Sequence, residues 1–350
     1  MKFTALPVNV GDSFLLQVDN KVILVDGGMN KTHIDKLLSN EKIKHIDLLI
    51  CTHYDADHIN GIIGILKSKK YTFSELWLPE IFGSIGYTIS KRLYTIFEEL
   101  RECRSHYENS LDYEYSSEII EKNSEENNAF EKINNDSLRH FLEYKPWHRR
   151  EYRYYHEIEY KMIHNMYNIS SLINSSLDTG AYIRWFKFCD RKVHNSYGFD
   201  MYCENSIQTD ITEYDTTLFF NMLYSTTLSK INQKSLVFMY DNNLYPNVLF
   251  CADSNFDFCD NAISLKPSSI VTAPHHGSEA NNNVYFKVNG DNLYFIRSDR
   301  SQIKRPGRGY LKQDNRYCTI CRNKTKKQKI ELILDKDIFK TTASKCICYP

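Results

Sequence analysis

The chain has 350 residues, of which 42% are hydrophobic and 25% are charged, and its 44 Lys and Arg residues balance its 44 Asp and Glu residues. This length suits one large domain or two medium ones, and the composition is ordinary for a soluble globular protein. Zero net charge excludes a global field that attracts polyanions, and the lack of a signal-peptide pattern or of an apolar run near roughly 20 residues predicts a cytoplasmic protein with no membrane segment.

The first segment of the chain, residues 1–82, is rich in short strand patterns. The stretches FTALPVNVGDSFLLQV and KVILVDGG alternate or run apolar between Gly and Asp-Asn breaks, which predicts hairpins. MNKTHIDKLLSN has helical spacing, HIDLLICT is a short apolar run typical of a buried strand, and DADHINGIIGILKSKK predicts a helix.

The second segment, residues 83–216, is long, charged and aromatic, and its pattern predicts helices. SKRLYTIFEELREC and EYRYYHEIEYKMIHNMYNISSLI both carry apolar or aromatic residues at helical spacing. We interpret this segment as a helical insertion that acts as a lid, a substrate-binding element or a docking site for a protein partner.

The third segment, residues 217–350, returns to strand patterns. The predicted strands are TLFFNMLY, KSLVFMY, NVLFCADS, SSIVTAPHHGS and NLYFIRS. Several of them end at a polar or charged residue. Residues 1–82 and 217–350 are therefore predicted to form one domain that carries the insertion.

Four potential metal ligands follow the apolar run in LLICTHYDADHINGI. His53, Asp55, Asp57 and His58 lie within six residues of one another, and such a group is favourable only around a positive charge. Imidazole and carboxylate ligands suit zinc, manganese or iron, and the absence of cysteine among these four residues argues against a purely structural zinc. The loop is long enough to serve two ions a few ångströms apart.

Further ligands are predicted at the ends of other strands. Asp253 follows NVLFC, the pair His275 and His276 follows SSIVTAP, and Asp26 follows KVILV. We expect Asp26 to orient a ligand histidine rather than to bind an ion. Strand ends converge on one edge of a layered α/β fold, so these residues are expected to share a site with the early loop.

The motifs together resemble a known family. THYDADHINGI resembles the signature loop of the metallo-β-lactamase superfamily, in the variant whose middle His is Asp. NVGDSFLLQV with ILVDGG, NQKSLVF, LFCADS and APHHGS are similar to the hydrolase domain at the C-terminus of ComEC-type DNA-uptake proteins. The resemblance covers the first and third segments and implies a four-layer αββα sandwich with two divalent ions at one edge.

The resemblance also implies the ligands of the first ion. They are His53, Asp55 and Asp253, with Asp253 bridging both ions. Asn232 and Ser235 occupy the region where other branches of the superfamily carry a further metal-binding His. A site with fewer nitrogen donors favours an oxygen-preferring ion, so manganese is expected beside zinc.

The second ion would be held by Asp57, His58, Asp253 and one histidine of the pair. We favour His275 as the ligand and His276 as a substrate-binding or proton-transfer residue. Asp57 would also orient the attacking water.

The basic stretch FIRSDRSQIKRPGRGY follows the strand after the histidine pair. Arg297 and Arg305 in this stretch could bind substrate phosphate, because the guanidinium fork matches phosphate oxygens. The alternative is a solvated loop that is merely basic.

The C-terminal cysteines leave two alternatives open. Cys318 and Cys321 form a C-x-x-C pair, and Cys346 and Cys348 form a C-x-C pair. Together they could hold a structural zinc, but the pairs would have to meet across the predicted strand KIELIL. Ordinary reduced thiols are therefore the expectation.

These patterns predict a dinuclear metal-dependent hydrolase that cleaves phosphodiester bonds, with DNA or another nucleic acid as substrate. A bound cation lowers the pKa of water to near neutrality and stabilises charge on phosphoryl oxygens. Two alternatives keep the same site: a hydrolase of a small phosphodiester, cyclic nucleotide or lactone, and a defence-complex effector subunit that is active only with a protein partner.

Overall fold

A computed structural model of the protein describes residues 1–92, 156–215, 218–219, 221–222, 234–299, 305–321 and 327–348. Its strands, in chain order, are β1 (Lys2–Ala5), β2 (Phe14–Val18), β3 (Lys21–Val25), β4 (His45–Ile50), β5 (Thr72–Pro79), β6 (Tyr182–Phe188), β7 (Asn195–Ser196), β8 (Met201–Cys203), β9 (Ser206–Thr209), β10 (Phe238–Asn242), β11 (Tyr245–Phe250), β12 (Ile263–Ser264), β13 (Ile270–Thr272), β14 (Val288–Asn289), β15 (Tyr294–Arg297), β16 (Asn315–Cys318), β17 (Ile330–Asp335) and β18 (Ile338–Lys340). The α-helical segments are α1 (His33–Asn40), α2 (Ala56–Ser68), α3 (80–92), α4 (His156–Leu177) and α5 (Arg308–Leu311). Two 3₁₀ segments span Pro274–Gly277 and Glu279–Phe286.

Most of the strands form two large sheets. The first has nine strands in the order β18-β17-β1-β2-β3-β4-β5-β6-β9, and the second has seven in the order β16-β15-β13-β11-β10-β8-β7. β3 to β6 run parallel in the first sheet, as do β11, β13, β15 and β16 in the second. The carboxyl ends of parallel neighbours meet at one edge of a sheet, so the loops after these strands come together.

The two sheets pack face to face on a shared apolar core. Phe3 and Phe14 of the first sheet lie 6.3 Å and 6.2 Å from Phe250 of the second, measured between ring centroids. Alternate residues of strands from both sheets bury their side chains in this layer, including Leu16, Val25, Leu48, Ile50, Phe238, Val248, Ile270 and Ile296. This burial supplies the main driving force for the sandwich.

Helical segments cover the outer faces of the sandwich. On the first sheet, α2 approaches the loop after β3 so closely that a Cβ on Gly61 would lie 1.8 Å from the carbonyl oxygen of Gly27. On the second sheet, Val271 and Phe295 pack with Tyr285 of the second 3₁₀ segment and with Tyr310 of α5. The predicted four-layer α/β sandwich is thus confirmed.

The predicted insertion differs from the structure in part. Residues 182–209, predicted as helical, form β6 to β9 and add strands to both sheets. The charged and aromatic residues of this stretch obscure its strand pattern in the sequence. The stretch TLFFNMLY was predicted as a strand, but its described residues are helical.

The remainder of the predicted insertion belongs mainly to a second compact unit, Ile81–Ser170 with Ile211–Thr227. Within this unit the backbone N–H groups of Thr212 and Tyr214 donate to Ser84 Oγ at 3.0 Å and Thr88 Oγ1 at 2.9 Å. The proposed lid or partner-binding role falls largely on residues 93–155, which lie outside the described residues. In the parts of the chain that the structure describes, no helix combines the length and apolar character needed to cross a bilayer.

Candidate metal centre

The loop after β4 carries the first group of candidate ligands. Thr52 and His53 follow the end of β4, and Asp55 occupies the N-cap position of α2. Asp57 and His58 therefore lie in the first turn of that helix. His53 and His58 are 3% and 0% exposed, and their ring centroids are 4.0 Å apart.

Asp26 fixes the orientation of His58. Its Oδ2 lies 2.8 Å from His58 Nδ1, and the carboxylate also accepts hydrogen bonds from Thr52 N at 2.9 Å and Thr52 Oγ1 at 2.7 Å. A carboxylate only accepts, so His58 Nδ1 carries a hydrogen and the lone pair of the neutral ring lies on Nε2. Asp26 therefore contacts the Nδ1 side of the ring, and its role in orienting a metal ligand stays a prediction.

Thr52 orients His53 by the same logic. Its hydroxyl donates its single hydrogen to Asp26, so the 3.0 Å contact between Thr52 Oγ1 and His53 Nδ1 is a hydrogen bond from the imidazole. The lone pair of His53 therefore also lies on Nε2.

Asp253, in the loop after β11, faces the imidazoles. Its carboxylate oxygens lie 3.7 Å from His53 Nε2, 3.5 Å from His58 Nε2, 3.3 Å from His275 Nε2 and 3.7 Å from His276 Nε2. Asp253 is only 2% exposed. The predicted convergence of distant strand ends is therefore present around this carboxylate.

Asp12 is a member of the centre that sequence reasoning missed. Its Oδ1 lies 2.9 Å from His276 Nδ1, and both residues are 1% exposed. His276 Nε2 points the other way, 3.3 Å from Asp57 Oδ2. Asp12 follows Gly11, which has a φ of +89° and packs so closely on the loop that a Cβ there would lie 1.7 Å from the Asp57 carbonyl oxygen, so this position requires glycine. The Gly-Asp pair in the predicted hairpin loop was the sequence feature that could have identified Asp12.

His275 has a different environment from its neighbour. Its Nδ1 lies 3.2 Å from Asn281 Oδ1, and its Nε2 lies 3.0 Å from Arg305 Nη2. Asn281 Nδ2 donates to the carbonyls of Asp253 and Ser254, at 3.3 Å and 3.1 Å, which fixes Oδ1 toward the histidine. The Nε2 lone pair of His275 is thus occupied by a guanidinium donor. Nε2 of His275 also lies 3.3 Å from Asp253 Oδ2, so the ligand role of His275 stays a prediction.

The backbone of the histidine pair is strained. His275, His276 and Gly277 have φ values of 46°, 54° and 76°, and each non-glycine residue in this region costs about 1–2 kcal/mol. Hydrogen bonds hold the turn: His275 N donates to the Ala252 carbonyl at 2.8 Å, Arg297 Nε donates to the His276 carbonyl at 2.7 Å, and Gly307 N donates to the Gly277 carbonyl at 2.7 Å.

The two arginines predicted to bind substrate phosphate lie in different environments. Arg297 is 1% exposed and is committed to backbone carbonyls and to Asp299, 3.5 Å away, so it does not line the open edge. The side chain of Arg305 is 20% exposed, and its Nη1 lies 3.3 Å from Asp299 Oδ2. Of these two arginines, Arg305 is the more exposed.

Ser235 is buried behind the loop after β4. Leu236 N donates to the Thr52 carbonyl at 3.0 Å, and Asn205 Nδ2 donates to the Ser235 carbonyl at 2.8 Å. These bonds tie the chain before β10 to the His53 loop. Asn232 lies outside the described residues.

The charges at the centre favour positive charge beside the carboxylates. Burial lowers the pKa of His58 and His276, but neighbouring carboxylates outweigh burial and raise both pKa values well above the ordinary range. Burial raises the pKa of Asp253, yet His276 and His58 hold it well below its usual range. Burial raises the pKa of Asp12 in spite of His276. Several buried carboxylates thus face one small volume, which is stable only with positive charge in it.

The residues present fit two divalent ions. One group of ligand atoms from Asp12, His58, Asp253 and His276, and another from His53, Asp55 and Asp253, each lie within 4.8 Å of one another. Among the described residues, the buried Nε2 atoms of His53 and His58 have no hydrogen-bond partner. Buried imidazole nitrogens without a partner are the expected state of metal ligands.

The sequence of the same region has known relatives. Residues 6–72 match the metallo-beta-lactamase superfamily. The α/β sandwich agrees with the fold of that superfamily, and the matched stretch contains Asp12, Asp26 and the candidate ligands from His53 to His58. Asp253 and the histidine pair lie beyond it.

The chain is also similar to the exodeoxyribonuclease WalJ of Streptococcus pneumoniae, in strain D39 and in strain R6. Each is 39% identical over 61 residues, which is 17% of this chain and 22% of the relative. The chain thus spans less than a quarter of the length of the curated relatives it matches.

Proposed function

We propose that the chain is a dinuclear metal-dependent hydrolase that cleaves phosphodiester bonds in DNA. The observation that carries the proposal is the common orientation of three imidazoles. His53, His58 and His276 each have Nδ1 committed to Thr52, Asp26 or Asp12 and turn Nε2 toward Asp253.

We assign the first ion to His53, Asp55 and Asp253. The second ion is assigned to Asp57, His58, Asp253 and His276, with Asp253 shared. We assign the ligand role to His276 rather than His275. Both Nε2 atoms lie near Asp253, but that of His276 also faces Asp57, whereas that of His275 meets Arg305.

When bound, two divalent ions lower the pKa of a water and neutralise charge on phosphoryl oxygens. The chain's own residues position the reaction. Asp57, whose side chain is 21% exposed against 2% for Asp253, is assigned to hold the attacking water. Arg305 is assigned to a phosphate oxygen of the substrate, where its guanidinium fork forms charge-assisted hydrogen bonds.

Two observations favour DNA as the substrate. The similarity found for 61 residues of the chain is to a protein named as an exodeoxyribonuclease, and a partly exposed arginine stands beside the ligand cluster. The resemblance to the hydrolase domain of ComEC-type proteins agrees with this choice. The donor set, with carboxylates outnumbering imidazoles in the first site, favours manganese beside zinc.

The test combines metal content with cleavage. Purified protein is stripped with chelator, reloaded with manganese, zinc or magnesium, and incubated with end-labelled single-stranded and double-stranded DNA. Asp57→Ala and His58→Ala are compared with the exposed-residue controls Asp291→Ala and His45→Ala.

We expect the two site variants to lose activity by more than about 100-fold, since loss of an outer partner alone costs about 10–100-fold. The controls should stay within about 2-fold of wild type, as surface substitutions do. Equal activity of all variants would contradict the assigned site. Hydrolysis of a cyclic nucleotide or lactone with intact DNA would refute the substrate and retain the metal site.

A further inference from the structure

Four cysteine side chains meet at a second cluster, within the same compact unit as the candidate metal centre. Cys318 ends β16, Cys321 lies in the turn that follows, and Cys346 and Cys348 lie on the segment after β18. All four sulfur atoms lie within 4.8 Å of one another. The sequence favoured ordinary thiols because the two pairs had to cross a strand to meet, and the structure brings them together.

Main-chain and amide hydrogen bonds hold the two pairs against each other. Cys346 N donates to the Arg316 carbonyl at 2.8 Å, which aligns the C-terminal segment with β16. The Gln328 amide donates to the carbonyls of Cys318 and Ser344 at 2.9 Å and 3.1 Å. These hydrogen bonds therefore hold the four thiols together beside β16.

The cluster is closed to solvent. Cys318, Cys321, Cys346 and Cys348 are 0%, 1%, 5% and 2% exposed. The sulfurs of Cys318 and Cys346 are 3.0 Å apart and are not joined in a disulfide. A disulfide would need an S–S distance of about 2.05 Å, and a Cys318–Cys346 disulfide would leave unexplained why Cys321 and Cys348 meet there too.

The dimensions suit a tetrahedral ion. With Zn–S bonds of about 2.3 Å, the sulfurs of a tetrathiolate site stand about 3.8 Å apart, which lies inside the observed limit. Cys348 N also donates to Cys346 Sγ at 3.4 Å. This backbone donor supplies outer support of the kind that metal-bound thiolates need.

We propose that Cys318, Cys321, Cys346 and Cys348 bind one zinc ion in a closed, structural tetrathiolate site. All four positions of the ion are filled by sulfur, so no position is open to water or substrate. Binding releases the thiol protons and couples metal uptake to folding of the C-terminal segment.

The site also supports the candidate metal centre through Arg297. Arg297 Nη1 donates to the carbonyl of Ile320, between Cys318 and Cys321, at 3.3 Å, while Nε donates to the carbonyl of His276 at 2.7 Å. The zinc loop and the strained histidine turn thus share one buried guanidinium. Only this coupling rests on the proposed function, because the zinc site itself does not depend on it.

The experiment replaces the bound metal of the full chain with cobalt(II). Thiolate ligands give a sulfur-to-cobalt charge-transfer band in the ultraviolet, which the nitrogen and oxygen ligands of the other centre do not give. We expect the band in wild type, in Asp57→Ala and in His58→Ala, and we expect its loss in Cys321→Ser and Cys346→Ser. Cys259→Ser, a buried cysteine outside the cluster, is the matched control and should retain the band.

A second measurement keeps the test decisive if the cysteine variants fail to fold. Titration of zinc-loaded wild type with a mercurial thiol reagent should release one zinc ion as four thiols react. Absence of the cobalt band, no zinc released with the thiols, or a Cys318–Cys346 disulfide in peptides prepared without reductant would each overturn the proposal. Failure of the DNA-cleavage assay with the band retained would overturn only the proposed function.

Discussion

Replacing Asp12 with Asn isolates the part of the centre that the sequence did not reveal. Asp12 Oδ1 lies 2.9 Å from His276 Nδ1, with both side chains 1% exposed. The amide either accepts this hydrogen bond without charge or presents Nδ2, which forces the ring hydrogen onto Nε2 and removes the lone pair that faces Asp57.

The expected effect follows from the loss of one buried, charge-assisted hydrogen bond behind a ligand. Such outer partners change metal affinity by about 10–100-fold, which corresponds to about 1.4–2.8 kcal/mol. The loss should fall on the second ion only, because His53 is oriented by Thr52.

The assay is equilibrium dialysis against chelator-buffered zinc, followed by elemental analysis and DNA cleavage at low and saturating metal. Asp12→Asn should retain one ion at zinc concentrations that fill two in wild type, and excess metal should restore much of the cleavage. Asp335→Asn, at a surface ion pair with Lys340, is the control. If Asp12→Asn binds both ions as tightly as this control does, the role of Asp12 in orienting His276 is refuted.

Three further outcomes are expected. Ala252→Gly should raise the free energy of unfolding by about 0.5–1 kcal/mol in urea titration, since Ala252 has a φ of 47° that glycine adopts without strain; an equal or lower stability would contradict this. Gly61→Ala should lower the free energy of unfolding by about 1–3 kcal/mol, because the new Cβ would lie 1.8 Å from the Gly27 carbonyl oxygen. An unchanged urea midpoint would show that the backbone shifts at this contact without a cost in stability. Burial acts to raise the pKa of Glu41. Hydrogen bonds and charge from Lys329 and Lys2 outweigh burial and lower this pKa below its ordinary value of 4.5. That carboxylate therefore stabilises the fold above pH 4.5 and loses its contribution as pH falls through the lowered pKa. Glu41→Gln should be less stable at pH 7 by about 0.5 kcal/mol and equal to wild type in strong acid, and a difference that persists in acid would contradict the ion-pair explanation.

The layers of the sandwich and the meeting of strand ends at one edge were predictable because both follow from simple sequence patterns. An apolar run that ends at His53 or Asp253 identifies a buried strand and the edge at which it stops. The family resemblance then added the order of the motifs. Residues 182–209 escaped prediction because charged and aromatic residues on half-exposed strands resemble a helix pattern.

The finer assignments depended on tertiary contacts that no local pattern contains. Asp12 and His276 are 264 positions apart in the chain, so nothing near Asp12 indicates its partner. His275 and His276 are identical residues side by side, and only the left-handed backbone of the turn separates their directions. Arg297 looked like a solvent-facing base in a basic stretch, yet it is buried between two loops.

The central claim is that side chains from distant strand ends jointly hold two divalent ions. Anomalous diffraction at the manganese and zinc absorption edges, from crystals of metal-loaded protein, tests this most directly. The account predicts one peak bound by His53 and Asp253 and a second bound by His58 and His276. No peak at the candidate metal centre under any metal loading, or a peak bound by His275 with Arg305 displaced, would contradict this claim.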